Sequence, residues 1–296
     1  MNDNLIKGHL KGIDVAFSYA QTTNTVREII IGHDCDPVAA HLLGRALTGA
    51  LLSAAVLPTE HRINVCWKYK GTLRTIVVDA GQDGTVRGFI SPAQFGSMED
   101  DGDALYGNVG NLQTVVSHSG KVLSSGTTPV SLHDAANDLA YAHCISDQVE
   151  TGLNVMIGFN PDPENPLKIC RGLMIQALPG MDLERFDGIR RRMDKPVFRE
   201  LLGSAEDVSI EALMQTLVAE ESGFKGVHTD ACPAPKFVCP CNREKMSAVV
   251  RTLPIPERME LVQKNENVEI RCQFCNTLYD LSIDECIAAW NEKPAH

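Results

Sequence analysis

Apolar residues recur along this chain with two periods, and the period changes with position. Over "INVCWKYK" (63–70) the alternation is strict, with Ile63, Val65, Trp67 and Tyr69 on one face and Asn64, Cys66, Lys68 and Lys70 on the other. That is the pattern of a half-buried strand. Lys70-Gly71 turns the chain into "LRTIVVDA" and "GQDG" (81–84) turns it again into "TVRGFI", predicting a three-strand antiparallel meander. "SLHDAANDLAYAHC" (131–144) places Leu132, Ala135, Ala136, Leu139 and Ala140 at helical spacing. "TGLNVMIGF" (151–159) and "KICRGLMIQAL" (168–178) flank the loop "NPDPENP" and predict a further strand pair. The most apolar run, "PVAAHLLGRALTGALLSAAVLP" (37–58), approaches the length of a membrane span. It contains His41, Arg45 and Thr48 and many small residues, so a buried, closely packed helix is expected instead.

The texture changes after Pro179-Gly180. "MDLERFDGIRRRMDK" (181–195) is mostly charge, with a sparse apolar set of Leu183, Phe186, Ile189 and Met193. Gly188 in its middle costs a helix about 1 kcal/mol against Ala, so a weakly held helix is expected. Its "RRR" (190–192) reads as a solvated face able to pair with Asp182, Glu184 and Asp187. "SIEALMQTLVAEE" (209–221) is a stronger helix, with Ile210, Leu213, Met214, Leu217 and Val218 on one face and Ser209 as N-cap. "ACPAPKF" (231–237) reads as an extended connector. The remainder holds short elements: helices in "NREKMSAVVRTL" and "PERMELVQK", strands "VEIRC" and "TLYDL", and a final helix "SIDECIAAW" opened by a Ser282-x-x-Glu285 capping box.

Net charge is −11, which repels phosphate backbones and makes nucleic acid a poor partner. The start "MNDNLIKGHLKGIDVAF" has no basic stretch followed by an apolar core, so no secretory signal and a cytosolic location are expected. In that compartment the 10 cysteines stay reduced unless they hold metal or do redox work. Cys35, Cys66, Cys144 and Cys170 stand alone in strand or helix contexts and are expected to be inert. Cys232, Cys239, Cys241, Cys272, Cys275 and Cys286 crowd into the last stretch.

Cys239-x-Cys241 and Cys272-x-x-Cys275 are tight pairs thirty residues apart. Two such turns bring four soft ligands to one tetrahedral point, which is what structural zinc requires. A segment this small needs such a staple, and zinc would contribute on the order of 10–16 kcal/mol to its order. A nucleic-acid-binding ribbon is disfavoured by eight Lys/Arg against nine Asp/Glu over 233–296. A zinc deaminase is excluded because no His/Cys-x-Glu precedes a Pro-Cys-x-x-Cys. No βαβ unit stands beside Cys272-x-x-Cys275 to suggest a thioredoxin-like dithiol. On oxidation the four thiols allow three pairings; nearest-neighbour pairing closes tiny loops and restrains the chain little, whereas either long-range pairing staples it shut. Cys232 and His228 are candidates for an alternative ligand or resolving thiol. Cys286 shares a face with Ile283, Ile287 and Trp290 and is expected to be a core thiol. The histidines form no cluster in sequence, no nucleophile–base constellation is visible, and Gly44 and Gly49 lack the Lys-Ser/Thr of a phosphate loop. The expected class is α+β: an N-terminal mixed domain with antiparallel sheet and packed helices (1–180), a helical linker (181–231) and a small C-terminal zinc-binding domain (232–296).

These residues resemble the 33-kDa heat-shock protein family of redox-regulated holding chaperones. The resemblance rests on the C-x-C…C-x-x-C pattern and on "HLLGRALTGALLSAAVLP", "TVRGF", "ISDQVET" and "RGLMIQALPG", and spans nearly the whole chain. It implies an ATP-independent holdase, not an enzyme, with one zinc on Cys239, Cys241, Cys272 and Cys275, inactive while reduced. It further implies that oxidation to Cys239–Cys241 and Cys272–Cys275, with mild unfolding, releases zinc, melts the 181–231 linker and uncovers a surface for unfolding clients. Homodimerisation and handover to an ATP-dependent foldase system are implied as well. A static zinc-bearing interaction module and a thiol–disulfide oxidoreductase are the alternatives. Departures fall in the first domain: Ser146-Asp147-Gln148 for Ser-Glu-Gln, preceded by Ala142-His143 for the usual aromatics; Ser124-Ser125-Gly126 for Tyr-x-Gly; and Arg171 for the first Gly of a Gly-Gly pair.

Overall fold

The chain opens with a hairpin, β1 (Asn4–Lys11) and β2 (Val15–Gln21), the second strand buried almost throughout. In this computed structural model, which describes residues 2–96 and 102–291, the hairpin is followed by two helices, α1 (Thr23–Gly32) and α2 (Pro37–Ala55). Asp36 caps α2 by accepting from the Ala39 N–H at 2.8 Å, with Pro37 at the first helical position. The meander follows as β3 (His61–Lys68), β4 (Thr75–Gly81) and β5 (Thr85–Ser91), antiparallel throughout. Next come α3 (Gly102–Tyr106), the hairpin β6 (Gly110–His118) and β7 (Lys121–Val130), α4 (Ala135–Ser146), and the pair β8 (Thr151–Phe159) and β9 (Leu167–Ala177).

Beyond β9 the chain forms α5 (Leu183–Arg192), α6 (Pro196–Leu202) and α7 (Ile210–Val218), then β10 (Gly226–Ala231) and the short β11 (Lys236–Phe237). Ser209 caps α7 through the Ala212 N–H. The "ACPAPKF" connector is less free than its prolines suggest, because β10 adds antiparallel to β1 and β11 parallel to β5. One five-stranded sheet runs β10-β1-β2-β9-β8; a six-stranded sheet runs β11-β5-β4-β3-β6-β7.

The chain divides into two compact units, Met1–Val238 and Cys239–His296. In the first, α2 touches strands of both sheets, and its apolar run is the centre of the main core: Leu43, Leu47, Leu51 and Leu52 are fully buried with Val65 and Trp67. The opposite face of the five-stranded sheet carries a second core. There Leu10, Val15, Phe17, Tyr19, Leu173 and Ile175 meet Phe186, Ile189 and Met193 of the α5 segment, Phe198 and Leu202 of α6, and Leu213, Met214 and Leu217 of α7. Helices α5 to α7 therefore cover an apolar sheet face.

The second unit holds α8 (Arg243–Val250), α9 (Ile255–Lys264), the hairpin β12 (Val268–Arg271) and β13 (Leu278–Leu281), and α10 (Ile283–Asn291). Its buried core is Val250, Leu281, Ile283, Cys286 and Ala289, and α9 buries no residue. Trp290 Nε1 donates to the Val250 carbonyl at 2.8 Å. The Ser282–Glu285 capping box forms reciprocally: the Ser282 N–H donates to Glu285 Oε2 at 2.8 Å and the Glu285 N–H to Ser282 Oγ at 3.4 Å.

Candidate metal centre

Each cysteine pair sits on a turn that its neighbours hold by local hydrogen bonds. Asn242 caps α8 by accepting from the Lys245 N–H at 2.8 Å, and Lys245 Nζ reaches back to the Pro240 carbonyl at 2.6 Å. The "CPC" turn is thereby fixed at a helix N-terminus. Cys272 and Cys275 lie in the turn between β12 and β13. The Cys272 N–H donates to the Thr277 carbonyl at 3.0 Å and the Asn276 N–H to the Cys272 carbonyl at 2.8 Å. Asn276 supplies the left-handed residue (φ 58°) that this tight turn requires.

The two turns bring Cys239, Cys241, Cys272 and Cys275 together, with all four sulfurs within 4.8 Å of one another. Cys239 Sγ lies 3.7 Å from Cys272 Sγ, and Cys241 Sγ 3.3 Å from Cys275 Sγ. Four thiolates about 2.3 Å from a tetrahedral zinc stand roughly 3.8 Å apart, so the set fits a metal with small adjustment.

Electrostatics across the cluster are uneven. Burial pushes the Cys241 thiol up to about 12; the hydrogen bond with Tyr279 works the other way, and contacts with Cys275, Cys239 and Cys272 add to the rise. Burial also works against ionisation of Cys275, but donors at Thr277, Cys241 and Cys272 overcome it and bring Cys275 down to about 7. Burial raises Cys272. Tyr279, on β13, places its hydroxyl 3.1 Å from Cys241 Sγ. Sequence reasoning missed this residue, because an aromatic four positions beyond Cys275 carries no spacing signal. Arg243 pairs with Glu285 through Nε at 2.7 Å, tying the start of α8 to the start of α10.

The other thiols lie apart. Among the described residues the metal-capable group contains neither Cys232 nor His228. Cys286 is fully buried in the second unit's core. Burial pushes Cys35 up to about 12 and raises Cys144 and Cys170, in keeping with inert thiols.

A nucleophile–base constellation, invisible in sequence, does appear. His143 Nε2 lies 2.8 Å from Ser53 Oγ and Nδ1 lies 2.7 Å from Asp147 Oδ2. Ser53 is 1% exposed and its hydroxyl also meets the Gly49 carbonyl at 3.1 Å. No substrate carbonyl reaches such an oxygen; the chain of bonds pins α4 to α2. Arg171 is also buried. It donates to Gln21 Oε1 at 3.1 Å and to the carbonyls of Ser204 and Glu206 at 2.9 and 2.8 Å, and so fastens the α6–α7 loop to β9.

A family model described as Hsp33 protein matches residues 3–282. Proteins named 33 kDa chaperonin are similar over nearly their whole length. The Enterococcus faecalis protein is 30% identical, covering 99% of this chain and 97% of its own. The Clostridium botulinum (strain Langeland) protein is 29% identical, covering 96% of each. The crystal structure of a 33 kDa chaperonin from Thermotoga maritima matches with a TM-score of 0.81 at 23% identity over 98% of both chains, which speaks for the fold alone.

Proposed function

The chain belongs to the Hsp33 protein family, and from that premise we propose that it is a redox-regulated, ATP-independent holdase controlled by its four-cysteine centre. Family membership makes it a chaperone and not an enzyme, one that binds unfolding proteins. The observation that carries the redox reading is the pairing of four convergent thiols with a unit whose hydrophobic core, among the described residues, is five buried side chains. A zinc ion held by Cys239, Cys241, Cys272 and Cys275 supplies the cross-link that such a core lacks.

In this reading the thiols are both ligands and sensor. Each cysteine pair gives two electrons to a peroxide, whose O–O bond breaks as an S–S bond forms, and the oxygens leave as water. Pairing Cys239 with Cys241 and Cys272 with Cys275 consumes the ligand set while closing loops too short to restrain the chain. The segment 232–296 then loses its support, and 181–231, the linker of this proposal, follows. What it leaves behind is the face of Leu10, Val15, Phe17, Tyr19, Leu173 and Ile175, the apolar surface offered to clients. A reducing cytoplasm, a homodimer in the oxidised state and release of clients to an ATP-dependent foldase complete the proposal.

The test compares suppression of citrate synthase aggregation by reduced and peroxide-treated protein, with released zinc followed by a chromogenic chelator. The expected result is activity only after oxidation, in step with zinc release. Equal activity in both states removes the switch, and turnover of a dithiol substrate favours an oxidoreductase instead.

A further inference from the structure

Antiparallel pairing sets two distant histidines face to face at the sheet edge. His9 of β1 is the direct cross-strand partner of His228 of β10. Opposed side chains in such a pair have Cβ atoms about 4.5–5.5 Å apart, and here the ring centroids lie 4.9 Å apart with planes inclined at 47°. Two imidazoles in adjacent positions on one metal ion, each nitrogen about 2.0–2.1 Å from it, hold their centroids roughly 4.5–5.2 Å apart. The observed spacing falls inside that window with the backbone as it stands. Asp230, two residues along β10 and so on the same face, brings Oδ1 to 3.5 Å from His228 Nε2. A carboxylate on one ring nitrogen orients a ligating histidine and leaves the other nitrogen for the metal. Lys7, the register partner of Asp230, brings a positive charge that this carboxylate offsets.

We propose that His9 and His228 form a second metal site, for a divalent transition-metal ion of the imidazole-preferring kind (Ni2+, Zn2+ or Cu2+). Asp230 orients His228, and water completes the coordination. The site is open to solvent: His9 is exposed, and the side chains of His228 and Asp230 are 45% and 60% exposed. His61 and His118 form a comparable cross-strand pair at 4.8 Å. There His61 Nδ1 meets the Thr59 carbonyl at 2.9 Å, but among the described residues neither ring pairs with a carboxylate, so nothing offsets the charge of an ion as Asp230 does beside His228.

The position gives the site a consequence. Among the described residues β10 is an edge strand that pairs with β1 alone, so an ion shared by the two binds only while β10 is docked, and stabilises the docked form by mass action. Bound metal thus holds the end of the 181–231 segment in place. That consequence rests on the redox reading of the preceding subsection; the binding itself does not.

The test titrates the reduced, zinc-loaded full chain with Ni2+, measuring bound nickel and zinc after equilibrium dialysis and the exchange of the 226–231 amides by mass spectrometry. One Ni2+ is expected beyond an unchanged zinc content. His9→Ala and His228→Ala each weaken it at least tenfold, Asp230→Asn weakens it about tenfold, and His61→Ala leaves it unchanged. At a Ni2+ concentration one hundred times Kd, exchange across 226–231 slows about a hundredfold, and only in chains that keep both histidines. Equal nickel binding by the double variant His9→Ala/His228→Ala overturns the site, as does nickel uptake matched by zinc loss. Nickel bound as expected by a chain that peroxide fails to activate upholds the site and removes only its regulatory consequence.

Discussion

Replacing Gly188 by alanine isolates the contribution of the linker helices to the switch. Gly188 lies in the middle of α5, and a Cβ added there meets nothing within 4 Å. The backbone is helical without a left-handed φ, so alanine fits without strain. The substitution removes the entropic penalty of glycine and leaves packing untouched, a gain of about 1 kcal/mol in helix stability. Every 1.4 kcal/mol is a factor of ten, so the local opening constant of α5 falls roughly fivefold. This helix holds Phe186 and Ile189 against the sheet, and oxidation must undo that contact if the proposed function is right. Hydrogen exchange across 183–192 in the reduced, zinc-loaded protein should slow about fivefold. The rate at which peroxide-treated protein gains antiaggregation activity should fall by a similar factor. Unchanged exchange in 183–192 refutes the helix argument. Slower exchange with unchanged activation takes α5 out of the switch.

Further outcomes rest on particular contacts. Glu221 joins Arg185 and Arg192 of α5, each at 2.6 Å, to the end of α7; Glu221→Gln should loosen 183–221 by about 2 kcal/mol, opposite in sign to Gly188→Ala and seen in the same exchange experiment. Burial opposes ionisation of Glu221, but the two arginines outweigh it and hold the carboxyl below its usual value. Its contribution is therefore complete above the unfolded pKa near about 4.3 and lost as pH falls through the lower folded value, so acid should loosen the wild type here and change Glu221→Gln less. Arg171→Gly leaves the Ser204 and Glu206 carbonyls without their donor, and exchange in 203–208 should rise by the equivalent of about 1–3 kcal/mol. Cys239→Ser should lose stoichiometric zinc and, by circular dichroism and exchange, the order of 239–291, while β3 to β5 keep theirs; Tyr279→Phe should keep zinc but bind it about tenfold more weakly in a chelator competition.

Much of the fold is local and was legible as such. Strict alternation in 63–70 marks which side of β3 is buried, because a pleated strand turns successive residues to opposite faces; Ile63, Val65, Trp67 and Tyr69 are all buried. The 37–58 run, with its small residues and Arg45, reads as a helix held inside protein, and α2 is mostly buried between strands of the two sheets. Ser209 and Ser282 announce their helices because capping is a matter of three or four neighbouring residues. The two cysteine turns are legible for the same reason.

Other features depend on partners tens to hundreds of positions away, and spacing carries no record of them. The hairpins at 4–21 and 110–130 have weaker alternation and drew no prediction. β10 sits in a stretch whose pattern predicts no element, and is a strand paired along β1. Arg171 stands out in sequence only as a departure from the family; its meaning appears when β9 turns that side chain toward 204–206. His143 meets Ser53, and His9 meets His228, because helix packing and strand register bring them together. The sequence by itself determined the periods, the caps and the two thiol turns, since each is settled within a few residues of backbone. Only the tertiary structure decided which apolar face α5 to α7 cover, how the four sulfurs converge and which histidines meet, because register and topology follow from the lowest free energy of the whole chain.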